Sequence, residues 1–333
     1  MQKKDEFWIG FDLGGTKMLA CGFDGALNPM ERVKKRTKGA DGPDTVIQRI
    51  IDTIQKTIDQ SGKKTSDLRG IGIGVPGTID VQTGVVLAAP NLGWRDIPVK
   101  SLIEDHFDTK VVLCNDVDAG IYGEYSSGAA KGAYCAVGIF PGTGVGGGCV
   151  LNGDIFQGKY RTAMEIGHIP FFSCGTRDGA GNEGTLETVA SRLAISAAAA
   201  QAAFRGAAPH LMKSVGTDLS EIKSGALADA ILNGDKSIKE IVLHAANYIG
   251  QAIVTLIHLF GADKVVLGGG LVQAMPDLIV NNARKYVMKH VLASFNGTFE
   301  ISAASLGDDA AIVGAAAWAK KQLAETEKGK KAE

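Results

Sequence analysis

Two short runs combine glycine and threonine in the way a bound phosphate requires. Asp12-Leu13-Gly14-Gly15-Thr16-Lys17 lies between the apolar runs Phe7 to Phe11 and Met18 to Phe23. Pro141-Gly142-Thr143-Gly144-Val145-Gly146-Gly147-Gly148 lies between Tyr134 to Phe140 and Gly148 to Leu151. Glycine lets main-chain N–H groups approach an anion closely, and threonine adds a hydroxyl donor. Each run reads as the tip of a β-hairpin, followed by a further turn at Asp24-Gly25 or Asn152-Gly153. Two hairpins of one design predict a duplicated fold whose halves face each other across a cleft. The expected occupant is a nucleotide polyphosphate.

Two aspartates have chemistry to do beside such a ligand. A carboxylate next to phosphates is repelled unless a cation intervenes, so Asp12 is expected to hold Mg²⁺, directly or through water. Lys17 either adds positive charge there or sits on the outer face of its strand. Lys110 to Cys114 reads as a buried strand ending on Asn115-Asp116, where a helix begins. Such strand ends are where α/β folds place ligands, which makes Asp116 a candidate general base. A hydroxyl acceptor attacks a γ-phosphate poorly while it keeps its proton, and a positioned carboxylate accepts that proton as attack proceeds. Taken alone, Asn115 or Asp116 reads equally well as a helix cap. Two facing phosphate loops with a carboxylate between them favour the base.

Rival phosphate motifs fail on context. Gly142, Gly144 and Gly147 satisfy G-x-G-x-x-G, as do Gly72, Gly74 and Gly77, but a dinucleotide loop must open a helix. Gly148-Cys149-Val150-Leu151 reads as strand, and Pro76 breaks the second case. Gly153 to Tyr160 nearly spells a Walker loop, yet Tyr160 cannot ligate magnesium as Ser or Thr would.

The elements that position these residues follow from length and periodicity. At 333 residues, with 45% hydrophobic and 21% charged, the chain exceeds what one core organises and predicts two domains. A net charge of −1 argues against nucleic-acid or membrane-surface binding. No run reaches the roughly 18 uninterrupted apolar residues of a membrane helix, and Met1 to Glu6 leads into a strand without a secretory apolar stretch. The expected setting is cytoplasmic. Cys21, Cys114, Cys135 and Cys149 lie in apolar strands, as reduced thiols would, with Cys174 as the odd fifth. Lys328 to Lys331 reads as a solvated end.

Val46, Ile47, Ile50, Ile51, Ile54 and Ile58 mark a helix over Pro43 to Ser61. Arg69 to Val75 reads as a buried strand, followed by a looped stretch and a helix over Val99 to Phe107. The order describes an α/β domain with helices on a mixed sheet. Ala-rich Leu186 to Arg205 opens a helical middle that continues through Gly225 to Leu232 and Ser237 to Phe260. A second α/β unit follows, with strand Lys264 to Leu267, a turn at Gly268-Gly269-Gly270, helix Pro276 to His290 and strand Thr298 to Ala303. The last helix, Asp308 to Glu325, opens on an acidic turn. The expected domains are 1–117 with 308–333, the smaller, and 118–307, the larger, with a helical insertion.

The chain resembles the ROK group of bacterial sugar kinases and regulators, within the hexokinase, actin and heat-shock ATPase superfamily. The resemblance runs from Phe7 to about Ala319. It rests on both glycine-threonine runs, Gly72-Ile73-Gly74-Val75-Pro76-Gly77, Ala89-Pro90-Asn91-Leu92-Gly93-Trp94, Asn115-Asp116, Glu165-Ile166-Gly167-His168 and Gly268-Gly269-Gly270-Leu271. It implies a duplicated actin-like, ribonuclease H-like α/β fold and a sugar 6-phosphotransferase with Asp116 as base, most similar to ATP-dependent glucokinases. By the same resemblance Asn91, Asn115, Glu165, His168 and Glu187 bind sugar hydroxyls. Gly14, Gly15, Thr16, Gly142, Thr143, Gly144, Gly269 and Gly270 hold ATP, with Mg²⁺ as cofactor. Closure of the domains excludes water, and a homodimer is implied. A buried hexose needs a partner for each hydroxyl, and carboxylates and amides supply fixed ones. Individually, Glu165 and His168 read as a surface salt bridge, Asn91 as a turn residue and Trp94 as a core anchor.

Two departures stand out. Many members of the group place zinc after the Glu-Ile-Gly-His turn, on that histidine and three cysteines. Here only Cys174 is left, and Thr185 stands where the last thiolate is expected. A structural zinc wants four ligands, so no zinc site is expected, and the loop is expected to be mobile until substrate arrives. Asp118, where relatives carry Asn, puts a second carboxylate beside Asp116 and is expected to raise one of the two pKa values.

Alternatives differ in acceptor, donor and class. Fructose, mannose, N-acetylglucosamine or N-acetylmannosamine can replace glucose, and polyphosphate can replace ATP; Pro90 to Trp94 favours glucose. Repressors of the group need a DNA-binding helix-turn-helix, for which the six residues before Phe7 are too few. An ATPase chaperone or filament would share the phosphate loops without the sugar residues.

Overall fold

Two compact units make up the structure, a computed structural model that describes residues 6–159 and 163–332. They are Met1–Lys131 with Gln157–Ala163 and Asp308–Glu333, and Gly132–Phe156 with Met164–Gly307. Tyr160, on which the Walker-like reading fails, lies outside the described residues.

The first unit contains β1 (Phe7–Leu13), β2 (Lys17–Asp24), β3 (Pro29–Arg36), α1 (Pro43–Gln60), β4 (Leu68–Val75), β5 (Thr78–Asp80), β6 (Val85–Ala89), β7 (Trp94–Ile97), α2 (Val99–Phe107), β8 (Val111–Asn115) and α3 (Asp116–Ser127). The C-terminal helix α11 (Ala310–Ala332) completes it. Its main sheet runs β3-β2-β1-β4-β8, antiparallel over the first three strands and parallel from β1 to β8. Alternation along β1 decides what each face meets. Phe7, Ile9, Phe11 and Leu13 are fully buried and share a core with Val46, Ile50 and Ile54 of α1 and Ile103 of α2. Each such side chain contributes about 1.5–3 kcal/mol by burial, far more than any helix propensity on α1. Trp8 faces the other way, onto Ile312, Ala316 and Ala319 of α11. That contact explains one of the decoy glycines: a Cβ on Gly72 would lie 1.9 Å from the Ala315 carbonyl oxygen, so the spacing serves helix packing.

Residues 78–97, expected as loop, form a third sheet in the order β5-β6-β7. Its strands are only three to five residues long and interrupted by turn residues, which hides their period. The expected boundary after residue 117 would cut α3 in its first turn. The compact unit keeps α3 whole, because α3 packs along α11 and against β4.

The second unit contains β9 (Cys135–Pro141), β10 (Val145–Leu151), β11 (Asp154–Ile155), α4 (Glu187–Ala190), α5 (Arg192–Phe204), α6 (Pro209–Ser214), α7 (Ser224–Leu232), α8 (Lys236–Phe260), β12 (Lys264–Leu267), α9 (Gly269–Ala274), α10 (Pro276–His290) and β13 (Glu300–Ala303). Its sheet, β11-β10-β9-β12-β13, repeats the first in order and in strand direction. This is the duplicated α/β architecture that the paired hairpins predict.

The helical Leu186 to Arg205 is divided into two helices, because Ser191 is extended and its hydroxyl accepts from the Ala194 N–H, starting α5 afresh. The turn at Gly268-Gly269-Gly270 is instead the start of α9, with Gly268 as its extended first cap. Helix α8 is long and apolar enough by composition to cross a membrane. Its Val242, Ala246, Ile249 and Ile253 instead enter the core of the second unit with Ala199 of α5 and Ile279 of α10.

Candidate active site

Parallel pairing brings the carboxyl ends of β1, β4 and β8 to one edge, with Asp12 opposite Gly74 and Asn115 opposite Val75. Asp12 shares the β1 face that α11 covers, beside Asp116 at the start of α3 and Asp308 in the 3₁₀ turn before α11. The Asn115 side chain caps α3, accepting from Val117 N–H at 2.8 Å and Asp118 N–H at 3.4 Å, and donates to the Gly77 carbonyl at 3.2 Å. The Asp116 carboxylate accepts from Val117 N–H at 3.0 Å. Burial first, then the charge of Asp116, pushes the Asp12 carboxyl up to about 7; Lys17 opposes this and Asp308 adds to it. Like-charge repulsion thus acts on Asp12. Asp118 accepts from Gln157 at 3.2 Å. Lys17 is half exposed and pairs with Asp308 at 2.8 Å.

The two glycine-threonine turns are closed by their own backbone. Gly14 N–H donates to the Lys17 carbonyl at 3.0 Å, and Gly142 N–H donates to that of Gly144 at 2.8 Å. The amides of Gly15, Thr16, Thr143 and Gly144 donate to no acceptor among the described residues, which leaves them for an anion. Each turn also packs against an expected sugar residue of its own unit. A Cβ on Gly15 would lie 3.3 Å from the Asn91 Cβ, and one on Gly144 would lie 2.1 Å from the Glu187 Oε2. Asn91 itself is exposed, in the 3₁₀ turn Pro90–Leu92 between β6 and β7. Gly269, at φ 78°, abuts the Pro141 carbonyl, so the start of α9, with Gly270 next in chain, joins the second turn.

In the second unit Ile166–His168 forms a 3₁₀ turn with Glu165 at its cap. The ion-pair partner of His168 is Asp178 rather than Glu165, with Nδ1 2.7 Å from Oδ2. That hydrogen bond raises the His168 pKa; burial opposes it, and the charges of Asp178, Glu187 and Glu165 reinforce it. Glu187 accepts from Val145 N–H at 3.1 Å on one oxygen and from Gly179 N–H at 2.9 Å on the other. A carboxylate has about four acceptor positions, so two are left for a ligand. The loop from Phe172 to Glu187 carries a bridge at its base, Thr185 with Pro170, and one within it, Arg177 with Glu183.

Three residues here carry charge that sequence reasoning did not assign. Arg192 donates to the Thr143 hydroxyl at 3.1 Å, placing a guanidinium at the second turn. From sequence, Asp308 marks only the acidic start of the last helix. Asp178 lies in Asp178-Gly179-Ala180-Gly181-Asn182, an Asx-turn signal that marks a turn but not its partners. Among the described residues no three His, Cys, Asp or Glu side chains converge as a metal cage. Magnesium does not need one, since it commonly takes one or two carboxylates with water and phosphate oxygens. Asp12 fits that pattern, because a nearby cation would favour its ionised form.

Comparison with known proteins gives a consistent neighbourhood. The model of the ROK family matches residues 8–322. A glucokinase of Halalkalibacterium halodurans is 34% identical over 335 residues, 99% of each chain. A glucokinase of Thermotoga maritima is 32% identical over 324 residues, 95% of this chain and 98% of the relative. Among solved structures, a ROK family glucokinase from Streptomyces griseus in complex with glucose and AMPPNP superposes with a TM-score of 0.82 at 28% identity, covering 95% of this chain and 99% of that one.

Proposed function

The chain belongs to the ROK family and is an ATP-dependent sugar kinase, and we propose that it transfers the γ-phosphoryl group of ATP to the 6-hydroxyl of glucose. Asp116 is the base. As the sugar oxygen bonds to phosphorus and the bond to the β-phosphate oxygen breaks, the hydroxyl proton passes to the Asp116 carboxylate and ADP leaves. The observation that carries this reading is the pair of carboxylates at one sheet end: Asp116 heads α3, and Asp12 beside it is raised to about 7 by burial and by the charge of Asp116.

Asp12 would hold magnesium, directly or through water, and the ion would supply positive charge beside the phosphate oxygens. The open amides of the two glycine-threonine turns cradle the phosphates, and Arg192 adds a cation at the second. Glu165, His168 and Glu187, with Asn91 and Asn115, pair with hexose hydroxyls. Glucose in the complex of the Streptomyces griseus relative and the glucokinase names of the two sequence relatives support glucose over other hexoses. A homodimer in the cytoplasm completes the proposal, and the buried Cys21, Cys114, Cys135 and Cys149 suit that reducing setting.

ADP release from Mg-ATP over a panel of hexoses tests this, with the product's phosphorylated carbon read by NMR. Glucose-dependent turnover giving the 6-phosphate is expected. Preference for an N-acetylated hexose or fructose would replace the acceptor, and turnover independent of every sugar would overturn the kinase assignment.

A further inference from the structure

Asp178 sits in an exposed loop, yet its side chain is fully buried, at 0% exposure. Four donors surround it, sorted by oxygen. Oδ1 accepts from the backbone N–H groups of Ala180 at 3.0 Å and Asn182 at 2.9 Å. Oδ2 faces His168 Nδ1 at 2.7 Å and accepts from the Thr185 hydroxyl at 3.0 Å. Burying a carboxylate is unfavourable unless such bonds compensate. Here burial opposes ionisation, and the bonds from His168, Asn182, Thr185 and Ala180 outweigh it and hold the carboxyl below the usual range.

We propose that Asp178 is the positioning residue of the hexose site, its Oδ2 fixing the proton on His168 Nδ1 while its Oδ1 folds the turn that aims Gly179 N–H at Glu187. An ionised carboxylate only accepts, so the ring nitrogen facing it carries a proton, and Nε2 is the nitrogen offered to ligand. The backbone arm acts one residue away. With Ala180 and Asn182 bound to Oδ1, and Asp178 N–H donating to the Asn182 carbonyl at 2.9 Å, Gly179 lies in a closed turn and donates to Glu187. Glu187 in turn accepts from Val145 beside the second phosphate turn. One buried group therefore orients two expected hexose ligands on different elements, His168 on the 3₁₀ turn and Glu187 on α4.

The sorting of donors makes the two arms separable. In Asp178→Asn the amide oxygen still serves Ala180 and Asn182, which turns its NH₂ toward His168 and forces Nδ1 to accept, moving the ring proton to Nε2. In Asp178→Ala both arms are lost. The proposal rests on the hexose-site reading, so its first readout is independent of activity: long-range ¹⁵N–¹H spectra of histidine-labelled full-length protein at alkaline pH, with His168 identified by His168→Gln. Asp178→Asn is expected to move the neutral-ring proton from Nδ1 to Nε2. It should also raise the hexose KM about 10-fold while the ATP KM and kcat change far less. Asp178→Ala should raise the hexose KM further. An unmoved proton in folded Asp178→Asn overturns the proposal, as does an equal loss for ATP and hexose. A moved proton with unchanged hexose KM upholds Asp178 as the holder of His168 and overturns instead the reading of His168 as a hexose ligand.

Discussion

Asp12 and Asp116 are the same chemical group at one end of one sheet, in different surroundings. Asp116 meets a helix N-terminus, whereas Asp12 meets burial and neighbouring charge. Their placement at strand ends was legible in the sequence because the flanking residues name those strands. Asp178 was not, because its partners His168 and Thr185 lie ten and seven residues away and meet only once the loop closes. The pair it makes with His168 predicts a pH dependence of stability. The Asp178 carboxyl is lowered on folding, so its contribution is complete above about pH 4, the value of a free carboxyl, and is lost as pH falls through the folded value. His168 is raised, so its contribution is complete below about pH 6.5 and is lost as pH rises through the folded value. The difference in Tm between the native protein and Asp178→Asn should therefore be widest between about pH 4 and 6.5 and shrink on both sides. Melting curves from pH 3 to 9 check this, and a pH-independent difference would contradict it.

At the scale of elements, each glycine-threonine turn is shaped by a neighbour from its own unit. Gly15 leaves room for Asn91, and Gly144 leaves room for the Glu187 carboxylate. The Gly-Thr spacing was readable as a hairpin tip, but the residue pressed against it was not, since Glu187 reaches Val145 from 42 residues away. The same limit hid the break at Ser191, where one side-chain cap divides an Ala-rich run that periodicity alone would continue. A methyl at Gly144 would fall 2.1 Å from Glu187 Oε2, forcing the carboxylate off Val145 N–H. A hydrogen bond to a charged group contributes about 1.5–3 kcal/mol, so Gly144→Ala should raise the hexose KM about 10-fold or more, alongside any effect on ATP. Steady-state kinetics in both substrates decide it, and a change confined to the ATP KM would contradict the packing argument.

Across the whole molecule, one sheet plan occurs twice, a hairpin with two parallel strands added beyond its first strand. Repetition of the glycine-threonine hairpin made that duplication legible from residues 7–25 and 134–153 alone. The short third sheet and the pairing of loop residues were not, because they depend on contacts rather than period. Both copies present open amides at the hairpin tip, and one of them adds two carboxylates at its sheet end, which is what phosphoryl transfer to a hydroxyl requires. The most direct test is Asp116→Asn assayed with Mg-ATP and glucose. A lost general base predicts a fall in kcat of about 10²–10⁴-fold with both substrates still bound. A kcat within about 3-fold of the native protein would contradict Asp116 as the base.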